Sequence, residues 1–123
     1  MIIGFKKQFV APILAGTKVH TIRENKTNRW RPGTTIQFAT GVRTKQYSQF
    51  KLNKCVSIQS IQIRRYEGKA LFFSTIKIDG QFVAPPGWLA LAVNDGFAGL
   101  DDFFEWFNKD FDGTIIHWTN LKY

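Results

Sequence analysis

A lysine, a histidine, a threonine and an arginine fall within six residues in the stretch Gly16-Thr17-Lys18-Val19-His20-Thr21-Ile22-Arg23. These residue types can do acid–base and nucleophilic chemistry. A lysine held partly buried and neutral can take a proton from a hydroxyl, and a threonine so activated can attack a carbonyl. An arginine can clamp a phosphate or carboxylate through parallel N–H donors. A buried structural strand would not choose this mixture, because each polar group there needs a partner. A solvated strand could carry it. Lys18 would then be a surface lysine or phosphate contact, Thr21 an ordinary strand threonine, and His20 a packed, hydrogen-bonded histidine. Arg23 would bridge to Glu24 or to a late acid such as Asp95.

The neighbouring elements must position this stretch. Met1–Phe5 reads as a strand and Phe9–Ala15 as a short helix, with Pro12 in its first turn and Gly16 at its end. The chain then enters a strand at Val19. There Val19, Thr21 and Arg23 share one face, and His20 and Ile22 the other. Residues 24–31 are polar, with one exposed-looking aromatic, Trp30, before the Pro32-Gly33 turn. Thr34–Thr40 alternates as a strand. Gly41–Asn53 is basic and suits either a long loop or a twisted hairpin. In Cys55–Arg65 the apolar parity switches near Ser60, which predicts a bulge or bend. Leu71–Ile78 and Gln81–Val83 flank an Asp79-Gly80 hairpin turn. Two helices follow, at Trp88–Asn94 and Leu100–Asn108. Gly96 stops the first, and Phe103, Trp106 and Phe107 form the stripe of the second. Asp112-Gly113 reads as a turn and Thr114–Thr119 as a last strand. Strands without regular intervening helices predict an α+β fold, with a mixed, mostly antiparallel sheet or barrel.

The 123 residues, 44% hydrophobic, make one domain (1–123) with enough apolar surface for a core. No apolar run is long enough to span a bilayer, so no membrane association is expected. Met1–Lys7 lacks a signal-peptide pattern, and the single Cys55 cannot pair internally, so a reducing cytoplasm is the expected compartment. The net charge of +8 is unevenly placed: residues 1–70 hold fourteen Lys and Arg against two acids, and residues 71–123 three against seven. One face of such a molecule suits an anion, most often nucleic acid. Trp30, Arg31 and Tyr47 lie in the basic part, where aromatics interleaved with cations can stack on bases. Two histidines and one cysteine at unrelated spacings make no metal site. No cofactor is implied.

The order of motifs resembles the ASCH domain family. Gly16–Arg23 is similar to its G-x-K-x-x-T-I-R pattern, and Trp30-Arg31-Pro32-Gly33 before a strand to its next step. Asp95-Gly96-Phe97, the aromatic helix Phe103-Phe104-Glu105-Trp106-Phe107, and Ile116-His117-Trp118 follow in order. The resemblance implies a small PUA-like β-barrel flanked by short helices. It implies a cleft beside the signature strand that binds RNA or a modified nucleoside, and Lys18, Thr21, Arg23 and Asp95 are expected to line it; His20, Trp30, Arg31 and Tyr47 are further expected ligand contacts. One branch of the family hydrolyses N(4)-acetylcytidine to cytidine and acetate. Carried over to that branch, Thr21 is the nucleophile, Lys18 the base, and Asp95 takes the place of a glutamate one methylene longer. A regulatory adaptor docking through the basic stretch 41–54 is the third expectation.

Overall fold

The structure, a computed structural model, describes residues 1–24, 29–65 and 74–123. Its elements are β1 (Ile2–Gly4), α1 (Val10–Ala15), β2 (His20–Arg23), β3 (Thr35–Thr40), β4 (Ser48–Lys54), β5 (Ser57–Arg64), β6 (Thr75–Ile78), β7 (Gln81–Phe82), α2 (Trp88–Asn94), α3 (Leu100–Trp106) and β8 (Phe111–His117). The class is α+β, mostly sheet, with three short α-helices among the described residues. The strands form two sheets, in the orders β1-β3-β4 and β2-β8-β5-β6-β7. Among the described residues only β1 and β3 run parallel, and the other pairs are antiparallel. Among the described residues both sheets are open, and no ladder closes them into a barrel. No helix among them is long and apolar enough to cross a membrane.

The sheets and helices share one core. Phe5 stacks on Phe38 with ring centroids 5.6 Å apart, and Phe38 meets Trp118 edge-on at 4.8 Å, which joins the small sheet to the end of β8. Ile61, Ile63, Ile76, Ile78 and Ile115 line the large sheet, and Leu91, Phe103 and Phe104 belong to the same buried cluster.

Local chemistry explains most boundaries. Pro12 sits in the first turn of α1, and Gly16 ends the helix at φ 81°, where a residue with a Cβ is strained. Asp79 and Gly80 both take positive φ, 51° and 80°, as a tight two-residue hairpin requires. The stretch 41–53 is a turn followed by β4, so the hairpin alternative is the one formed.

Four expectations are corrected. The parity switch near Ser60 is no bulge: β5 pairs with β8 without a slip from Ser57↔His117 to Ile63↔Phe111. Gln59 takes the inward position instead and is fully hydrogen-bonded there, while the irregularity falls between Phe38 and Ala39. Asp112-Gly113 is not a turn but lies inside β8. There a Cβ on Gly113 would meet the Arg23 carbonyl oxygen at 2.5 Å, so glycine marks a close approach of strands. On α3 the buried residues are Phe103 and Phe104, with Phe107 buried just after its end, while Trp106 is 45% exposed. Trp30 is buried in the core rather than exposed. The expected strand residues Leu71–Phe73 lie outside the described residues.

Candidate functional site

Two helix ends place Lys18. The main-chain N–H groups of Thr17 and Lys18 both donate to the Pro12 carbonyl, 3.0 Å each, which folds the chain tightly off α1. Val19 N–H then donates to the Asn94 carbonyl at 2.8 Å, which pins this corner to the C-terminal end of α2. Lys18 is only 2% exposed. Its Nζ donates to the Asp95 main-chain oxygen at 2.5 Å and to Asp95 Oδ1 at 3.3 Å. A cation is favoured at a helix C-terminus, where carbonyls lack intrahelical partners. The lysine also lies over the rings of Phe9 and Phe5, 4.8 and 5.8 Å from their centroids. Burial pushes its pKa below the usual lysine range; the Asp95 charge and hydrogen bond oppose this, and Arg23 adds to it. The deprotonated amine is thus more accessible than in a solvated lysine.

Asp95 is the hub. Oδ1 accepts from Lys18 Nζ and also from His20 Nδ1, at 3.1 Å. His20 Nε2 stands 2.6 Å from the Tyr123 hydroxyl, which accepts from Asn94 Nδ2 at 3.1 Å. A carboxylate can only accept, so the imidazole bears a proton on Nδ1, and its Nε2 can accept from the phenol. Burial raises the phenol pKa to about 12, which keeps that proton on oxygen. Asp95 Oδ2 takes no bond from the described residues, yet Asp95 lines the cavity described next.

Thr21 and Arg23 lie on the other face of β2. Arg23 Nε donates to Thr21 Oγ1 at 3.2 Å, and Nη2 to the Gly4 carbonyl at 2.8 Å. The guanidinium lies 5.1 Å from the Phe5 ring centre. Burial lowers the Arg23 pKa against the pull of Asp95, but an arginine stays charged. Thr21 Oγ1 therefore accepts from a cation, which favours developing negative charge on that oxygen and leaves its own hydroxyl proton to be donated or removed.

Lys18, Thr21, Arg23 and Asp95 line a single cavity of about 370 Å³, with Phe5, Phe9, Phe97, Trp106 and Phe107 among its walls. The structure thus gathers four of the eight sequence candidates. His20 is not on the cavity wall and reaches it only through Asp95. Trp30 lies in the core, and Arg31 and Tyr47 are exposed away from the lining. The basic turn does touch the cavity, through Gly41 and Val42. No group of three or more potential metal ligands occurs among the described residues.

Sequence reasoning missed Tyr123 and Asn94, and it assigned Trp106 and Phe107 to core alone although both line the cavity; Phe103 is core, as expected. Tyr123 contacts His20 across 103 residues, and no local pattern announces such a contact.

A second polar cluster lies behind β2. His117 Nε2 donates to Gln59 Oε1 at 3.0 Å, which also accepts from Tyr123 N–H at 2.9 Å. His117 Nδ1 is buried and has no hydrogen-bond partner among the described residues. Burial, then the proximity of His20 and Lys122, lower the His117 pKa to about 4 from 6.5, with Asp79 opposing. Between those values the unfolded chain binds the extra proton, so stability rises with pH through this window and is lost as pH falls through it. His117→Phe is expected to flatten the curve of unfolding free energy between pH 6.5 and 4, measured by urea titration. An unchanged slope would assign that acid sensitivity elsewhere.

Compared with known proteins, the chain matches no family model, and no curated protein and no solved structure is detectably similar to it.

Proposed function

We propose that the cavity beside β2 binds a nucleoside-sized ligand, either a modified nucleoside or one nucleotide of an RNA. The observation that carries this reading is the buried Lys18–Asp95 pair at the polar end of an aromatic-walled cavity, with Arg23 and Thr21 alongside. A cavity of about 370 Å³ is at the small end of ligand pockets and suits one nucleoside rather than a folded RNA surface. Phe5, Phe9, Phe97 and Trp106 give the cavity an aromatic lining against which a flat heterocycle can pack. Lys18, Thr21 and Arg23 offer donors, and Asp95 Oδ2 an acceptor. The basic first half supplies attraction for phosphates. Under the same reading the chain is a PUA-like domain of the ASCH type with its two sheets left open, acting in the reducing cytoplasm.

One pair of observations favours chemistry as well as binding. Lys18 is biased toward the neutral amine, and Thr21 Oγ1 accepts from Arg23. An N-acylated cytidine would then be cleaved in two steps. Thr21 attacks the acyl carbon while neutral Lys18 takes the hydroxyl proton and passes it to the departing amine nitrogen. Water next attacks the threonine ester while neutral Lys18 takes a proton from it and gives that proton to the departing Thr21 oxygen, and the carboxylic acid leaves and ionises. The sum is amide plus water giving amine, carboxylate and one proton.

The test is to incubate the protein with N(4)-acetylcytidine and follow cytidine release by chromatography, beside binding of cytidine and of a short RNA over a salt series. Thr21→Val is expected to abolish release, and Lys18→Met to reduce it by about 10²–10⁴-fold. Equal turnover by Thr21→Val and wild type would remove the nucleophile. Absence of release with retained binding leaves a binding site alone. Affinity that falls steeply with salt for RNA but not for cytidine identifies phosphate contacts. Absence of binding by all three probes would sink the reading.

A further inference from the structure

His20 sits in the middle of the signature stretch, is wholly buried, and turns away from the cavity. It does not contact a ligand there. Among the described residues its side chain hydrogen-bonds to Asp95 Oδ1 and the Tyr123 hydroxyl alone. The Asp95 carboxylate would otherwise be held on one oxygen by a single long contact, the 3.3 Å bond from Lys18. An aspartate has one fewer methylene than a glutamate with which to reach.

We infer that His20 is a positioning residue: its Nδ1–H fixes Asp95 Oδ1 against Lys18 and leaves Oδ2 presented to the cavity. Tyr123 and Asn94 complete the device. Asn94 orients the phenol, the phenol proton occupies His20 Nε2, and the imidazole is left with its proton on the Asp95 side. The arrangement divides the carboxylate's work. Oδ1 is committed to two protein donors, and Oδ2 can accept only from a ligand or water. The site therefore selects a ligand with an N–H or O–H donor beside an acceptor for Lys18, Thr21 or Arg23. This inference rests on the cavity being the functional site, but its test needs no ligand.

The charged and titratable groups around Lys18 are Asp95 from the end of α2, Arg23 and His20 from β2, and Tyr123 behind His20. His117, Lys122 and Asp79 lie behind His20 in turn. The readout is the pH midpoint for acetylation of Lys18 by acetic anhydride, measured by mass spectrometry. Asp95→Asn is expected to lower that midpoint by about one unit, because the carboxylate that favours the ammonium is gone. His20→Leu is expected to lower it in the same direction, and His20→Asn to restore it, since its amide can reach the same oxygen. The double variant Asp95→Asn/His20→Leu should match Asp95→Asn alone, because His20 acts only through Asp95. Additive shifts, or an unmoved midpoint in His20→Leu, would overturn the assignment. Should His20→Leu fail to fold, the ¹⁵N spectrum of histidine-labelled wild-type protein decides. A proton on Nδ1 of His20 supports the inference, and a ring without one overturns it. Failure of every nucleoside probe to bind would leave these results as they stand, so the two readings fail separately.

Discussion

Asp95→Ala is expected to destabilise the fold by about 3–5 kcal/mol, and Lys18→Met by less, because the carboxylate it leaves keeps the His20 donor. The asymmetry follows from what each change leaves behind. Removing the carboxylate strands a lysine 2% exposed, with one main-chain carbonyl and two aromatic rings for company, and it removes the Nδ1 partner of His20. Removing the ammonium leaves Asp95 with His20 and with an Oδ2 that no described residue occupies. The carboxylate left by Lys18→Met is itself buried, so this change also costs stability, but the His20 donor keeps that cost below the one left by an unpaired ammonium. The unpaired Lys18 limits its own penalty by losing its proton, and this gives a pH signature. A lysine whose folded pKa lies below its unfolded 10.5 releases protons on folding, so stability rises with pH between those two values. In Asp95→Ala that window widens, and the variant should regain stability between pH 7 and 10 more than wild type does. Urea midpoints at pH 7 and 9 measure both effects. Equal losses for the two single variants would show that the pair's charge is not what the carboxylate serves.

The hub also shows which parts of this molecule are written locally. Gly16 ending α1, the Asp79-Gly80 hairpin and the stop at Gly96 are each set by conformational preferences of two or three neighbouring residues, and each was legible. The face shared by Thr21 and Arg23 follows from strand alternation alone. The contact between Lys18 and Asp95 does not. It depends on Val19 meeting the far end of α2, much later in the chain, and only the family resemblance hinted at it. Gln59 misled for a related reason. Hydrophobic periodicity assumes that inward positions are apolar, but Gln59 fills one because His117, Tyr123 and Asp79 satisfy its amide. A polar inward residue reads as a change of phase until its distant partners are known. Trp30 and Trp106 traded their expected places on similar grounds, since burial of a large aromatic depends on which surface arrives above it. His20 meets the expectation of a buried histidine and does not line the cavity. It is a packed, hydrogen-bonded histidine, and its partner is the carboxylate of the site.

Gly96→Ala is expected to cost about 2–5 kcal/mol and to disturb the site as well as the fold. Two independent constraints meet at this residue. Its φ of 94° lies where a Cβ is strained. A Cβ there would also come within 2.8 Å of Lys18 Cδ, 3.1 Å of Phe9 Cδ1 and 3.2 Å of Lys18 Cβ. The glycine thus ends α2 and leaves the space in which the lysine stem runs to Asp95. Gly16 separates the two effects. It has a similar φ of 81°, but a Cβ there would meet nothing within 4 Å, so Gly16→Ala should show the conformational cost alone, about 1–2 kcal/mol. The excess at Gly96 is then the cost of moving Lys18 and Phe9. It should shrink when Lys18→Ala is combined with Gly96→Ala, because the nearest atom is gone, and unfolding free energies of the two singles should not add. Equal losses for Gly16→Ala and Gly96→Ala, with additive behaviour in the double variant, would mean that Gly96 serves the turn only. Loss of more than the turn's share, with the Lys18 acetylation midpoint displaced in Gly96→Ala, would place this glycine in the wall that aims the lysine.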